Sequence, residues 1–78
     1  MYTPISCAYY DELEALATRR LPCHILYYEE SGRQSEVHGI IRNLFTRHKE
    51  EFLELDNGLL IRLDRLISVN GKEQKGYC

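Results

Sequence analysis

Apolar side chains recur every three or four residues near the N-terminus and roughly every second residue after that. Tyr9, Leu13, Leu16 and Ala17 fall on one side of a helix, which needs a period of about 3.6 residues. Ser6 precedes this stretch and suits a cap, because a hydroxyl there accepts from an orphan backbone N–H. Asp11, Glu12 and Glu14 lie toward the positive end of the helix dipole, and Arg19 and Arg20 at the negative end. Pro22 prevents continuation. These signals predict a helix over residues 8–19, with an extended lead-in ahead of it at residues 2–5.

The later alternation predicts strands over residues 22–29, 34–46, 51–55, 59–63 and 66–69, followed by a polar tail over 72–78. In the first strand Cys23, Ile25 and Tyr27 oppose His24, Leu26 and Tyr28. In the second, Val37, Ile41 and Phe45 oppose Ile40 and Leu44, and Gly39 marks a bend or a close backbone approach. Such a bend lets one long strand serve two parts of a curled sheet. Residues 29–33 read as a hairpin turn, 47–50 as a charged turn, and Asp56-Asn57-Gly58 as a strong hairpin signal. Asn70-Gly71 ends the last strand. The fold class is α+β, mainly β: an N-terminal helix, then a five-stranded, strongly bent antiparallel sheet or small barrel, which limits exposed edges.

The helix has a second stripe. Tyr10, Asp11, Glu14 and Thr18 lie together at spacings of three and four residues, away from the docking side. An aromatic ring flanked by two carboxylates, unneeded for the core, is a candidate partner-contact surface.

Composition narrows the function. Seventy-eight residues make one domain that buries about 60 % of its unfolded surface, which leaves little room for a deep catalytic cleft. The net charge is −2 and the pI about 5.9, a poor balance for neutralising phosphates. No apolar run is long enough to cross a bilayer, and the N-terminus lacks a secretory pattern. Three cysteines without framework spacing read as reduced thiols and a cytoplasmic home. His24, His38 and His48 sit on different elements, and no phosphate loop, metal-ligand cluster or nucleophile motif is present. The expectation is a non-enzyme without cofactor or metal.

Two resemblances follow from these residues. Gly39-Ile40-Ile41 and the segment Ile61-Arg62-Leu63-Asp64-Arg65-Leu66-Ile67 resemble elements of the Sm-like fold. More specifically, the string Tyr2-x-Pro4-Ile5-x-Cys7-x-x-Tyr10-Asp11-x-Leu13-Glu14, together with Arg62-Leu63-Asp64-Arg65-Leu66, is similar to the Rho-binding antiterminator family, the Rof or YaeO proteins. The resemblance implies an Sm-like domain that binds the transcription termination factor Rho and competes with RNA at its primary binding sites. It implies partner contacts on the helix at Tyr10, Asp11 and Glu14, and a second contact region at Arg47, His48 and Lys49. The family often has Arg-Lys-Asn there, so Arg47 matches while His48 and Lys49 depart. A monomer that ignores nucleic acid and membranes is expected. The competing expectation is a small Sm-like RNA-binding module using Arg42, Arg47, Arg62 and Arg65.

Overall fold

Ser6 opens the helix as expected: its hydroxyl accepts from the Tyr9 backbone N–H at 3.2 Å. The computed structural model describes residues 5–73. Most of the lead-in, with motif residues Tyr2 and Pro4, and positions 74–78 of the tail lie outside the described residues. Helix α1 spans Cys7–Arg19. Its first turn holds no acid, so Asp11 and Glu14 sit about a turn beyond the strongest part of the dipole. Arg20 ends the helix in a left-handed conformation, φ 53° and ψ 43°. The Arg20 and Leu21 N–H groups then donate to the Ala17 and Leu16 carbonyls, each at 3.2 Å, which satisfies carbonyls the helix leaves unpaired.

The strands are β1 (Pro22–Tyr28), β2 (Gln34–Arg47), β3 (Glu50–Leu55), β4 (Leu60–Arg62), β5 (Leu66–Val69) and β6 (Lys72–Glu73). A short 3-10 turn, Leu63–Arg65, separates β4 from β5. They form one antiparallel sheet in the order β4-β3-β2-β1-β5-β6. The class is α+β, mainly β. The count is corrected from five strands to six, because the start of the expected tail pairs with β5, Val69 opposite Lys72. The sheet is open, with β4 and β6 at its edges, rather than a closed barrel.

β2 does serve two parts of the sheet. Residues 34–40 pair with β1, and residues from Ile41 onward pair with β3. Gly39 sits just before the switch, and a Cβ there would meet Asp56 Oδ1 at 3.0 Å and Leu55 Cδ1 at 3.6 Å. The close approach is therefore real. A bulge follows, since Ile41 and Asn43 face the adjacent residues Leu55 and Glu54. The extra residue, Arg42, inverts the alternation. Leu44 then packs on the core while Phe45 turns to the other face, which corrects the expectation that Val37, Ile41 and Phe45 share a side.

The core is one cluster. Tyr9 and Leu13 from α1 meet Cys23 and Ile25 from β1, Ile41 from β2, Leu53 and Leu55 from β3, and Ile61, Leu63, Leu66 and Val69 beyond. Leu16 and Ala17 pack on it partly buried, as expected, but so does Tyr10, which corrects the expectation that the second stripe of the helix is unneeded for the core. Tyr9 also ties α1 to the far edge: its hydroxyl donates to the Lys72 carbonyl at 2.9 Å, and Glu12 Oε1 lies 2.5 Å from Lys72 Nζ.

Candidate partner-contact surface

The acidic stripe begins on a side chain that is not free. Tyr10 is half-buried and packs against the core cluster. Its hydroxyl is pushed above the ordinary tyrosine pKa, first by burial and then by the carboxylates of Glu14 and Glu51. Tyr10 is therefore fixed in place, with two acids beside it. Asp11 and Glu14 are exposed, one residue and one turn further along the helix.

Glu51 is a member of this group that sequence reasoning missed. It stands opposite Thr46 in the β2–β3 ladder. Its parity with the buried Leu53 and Leu55 puts it on the helix-covered face. That parity was legible in the sequence, but the placement of the helix across it was not.

Arg47, His48 and Lys49 are all exposed and form the end of the β2–β3 hairpin. Arg47 faces Glu50 in the ladder, and His48 and Lys49 are the two loop residues, with φ of 52° and 66°. Since Glu51 reaches Tyr10, this hairpin end lies beside the N-terminal half of α1. The two candidate regions thus share one end of the molecule. They do not share a face: Arg47 and Phe45 lie on the side of the sheet opposite the helix, with Phe52, Glu50 and Arg62.

That outer face is dense with paired charge. Arg62 binds Glu50 at 2.9 Å and Asp64 at 2.6 Å, and Arg42 binds Glu54 at 2.8 Å. Phe45 and Phe52, directly opposite in the ladder, stack with centroids 5.5 Å apart. The Arg47 guanidinium carbon lies 5.3 Å from the Phe45 centroid. On the neighbouring strands His24 and His38 stack at 4.5 Å, and His24 Nε2 lies 2.6 Å from Glu36 Oε2. This hydrogen bond and the histidine's charge hold the Glu36 carboxyl below its usual pKa.

Cys23 is a buried free thiol whose pKa burial raises, so it is poorly suited to act as a nucleophile. Cys7 is disulfide-bonded, which corrects the expectation of reduced thiols at that position, and Cys78 lies outside the described residues. The cysteine count therefore no longer argues for a reducing compartment. Among the described residues no three His, Cys, Asp or Glu side chains are grouped to hold a metal ion, and no helix is long and apolar enough to cross a membrane. A groove of about 520 Å³ between the C-terminal half of α1 and the β2 bulge is lined by Ala17, Thr18, Arg20, Ile40, Ile41, Arg42 and Asp56. It contains none of the candidate contact residues. No family's sequence model matches the chain, and no curated protein or solved structure matches it either.

Proposed function

We propose that this protein is an inhibitor of Rho-dependent transcription termination: an antiterminator that binds Rho and competes with RNA at its primary binding site. The reading rests on the resemblance of the N-terminal string to the Rof or YaeO proteins. The observation that carries it is the exposed pair Asp11 and Glu14 on the same stretch of helix as a Tyr10 packed on the core. An RNA-binding site is lined with cations and stacking platforms. A protein that competes there needs carboxylates at a set spacing and benefits from a rigid ring. Asp11, Glu14 and Tyr10 offer that combination on one stripe of the helix. On this reading the protein is a cytoplasmic monomer whose partner is a protein, and it needs neither cofactor nor catalysis.

The second reading is a small Sm-like RNA-binding module. Two of the four arginines it would use, Arg42 and Arg62, are already bound to carboxylates, and the overall charge is negative. Both facts favour the first reading.

Binding of the purified protein to purified Rho tests the proposal, with a competing single-stranded RNA in a second arm. Each charge-assisted contact removed should cost about 1.5–3 kcal/mol if it is desolvated, so Asp11→Lys and Glu14→Lys should each weaken binding tenfold or more. Affinity should fall as salt rises. Tight RNA binding by a ring-sized assembly of this chain, with no affinity for Rho, would establish the second reading instead.

A further inference from the structure

Arg47 is held differently from the other arginines on its face. Arg42 and Arg62 are engaged by carboxylates. The acid directly across the ladder from Arg47 is Glu50, and Arg62 Nη1 occupies it at 2.9 Å. Among the described residues Arg47 has no ion-pair partner, and its recorded contact is the Phe45 ring, 5.3 Å from centroid to guanidinium carbon. Phe45 is backed in turn by Phe52, with the two rings 18° from parallel. Both rings are half-buried and belong to paired strands, so the platform is fixed. A guanidinium lying over a ring keeps its N–H edge open for a planar, bidentate acceptor.

We propose that Phe45 is a positioning residue that presets Arg47 to receive a carboxylate of the protein partner. The inference rests on the reading of the chain as a Rho-binding protein and adds a second, oppositely charged contact to its acidic stripe. On that reading the partner is a protein, and the planar bidentate acceptor that a protein side chain offers is a carboxylate; Glu50, Glu54 and Asp64 on the same face are held by Arg42 and Arg62 and leave Arg47 to it. The ring acts through orientation. It removes the need to order a long side chain on binding.

Two measurements test it. In the free protein, the Arg47 Hδ resonances should be shifted by the Phe45 ring current. Phe45→Leu should abolish that shift and Phe45→Tyr should keep it. Affinity for purified Rho is then measured for Phe45→Leu, Phe45→Tyr, Arg47→Ala and the Phe45→Leu/Arg47→Ala double variant, each first checked for an unchanged circular dichroism spectrum. A cation–ring contact at an exposed site predicts about a two- to fivefold loss for Phe45→Leu, near-native binding for Phe45→Tyr, and a double variant no weaker than Arg47→Ala alone. A merely structural role for the ring would make the two losses additive. Phe45→Leu binding as tightly as the native protein, or additive losses, overturns the inference while leaving the Rho reading intact. Native protein that fails to bind Rho overturns both.

Discussion

Arg20, His48 and Lys49 adopt backbone conformations that their side chains disfavour, with φ of 53°, 52° and 66°. Arg20 closes α1 in the position usually given to glycine, and the cost of a Cβ there is about 1 kcal/mol. Arg20→Gly should therefore raise stability by about 1 kcal/mol in urea denaturation; an unchanged or lower midpoint would contradict this reading of the cap. His48 and Lys49 fill a two-residue hairpin loop that favours Asn-Gly. Lys49→Gly should stabilise by a similar amount, about 1 kcal/mol, while removing a candidate contact cation. The sequence showed that the helix stops near Arg20 and that residues 47–50 turn. It did not show left-handed backbone at either place, because the usual marker, a glycine or asparagine, is missing from both.

α1 and the two ends of the sheet depend on one another. Leu13 is 1 % exposed at the centre of the helix-to-sheet contact, and Leu13→Ala should cost about 2–5 kcal/mol, a large part of what a small domain has. Tyr9 links the helix to β6 and has its pKa raised to about 12 by burial, with Glu12 adding to the shift. The folded form keeps its proton where the unfolded chain has lost it. Stability is then fully present below about pH 10, the ordinary tyrosine value, and falls as pH rises toward 12. Chemical denaturation at stepped pH should show that decline, and Tyr9→Phe should flatten it; an equal slope in the variant would mean other groups carry it. Most of these elements were legible from periodicity and turn residues. β6 reads as tail in the sequence: Asn70-Gly71 is a two-residue hairpin loop between Val69 and Lys72 with positive φ at both residues, but the strand it opens is only the two polar residues Lys72 and Glu73, with no apolar alternation to mark it. The bulge at Arg42 was not legible either: one extra residue leaves the composition of the strand unchanged and reveals itself only in the register.

At the scale of the whole molecule, the acids and the open arginine occupy one end but opposite faces of the sheet. Glu14 and Glu51 lie near Tyr10 on the helix side, with the exposed Asp11 next to it in the chain, and Arg47 lies over Phe45 on the other. A partner touching both must wrap around the β2–β3 hairpin end rather than lie flat on the helix. The helix stripe was readable because a 3.6-residue period fixes which side chains share a face. The contribution of Glu51 was not, since it depends on how α1 crosses the sheet. The measurement that bears most directly on the proposed role is the affinity of this protein for purified Rho, compared between the native chain and the double variant Asp11→Lys/Glu14→Lys. Salt-sensitive binding by the native protein, lost in the double variant and displaced by single-stranded RNA, is the predicted result. Native binding that the charge reversals leave unchanged, or no binding at all, would contradict it.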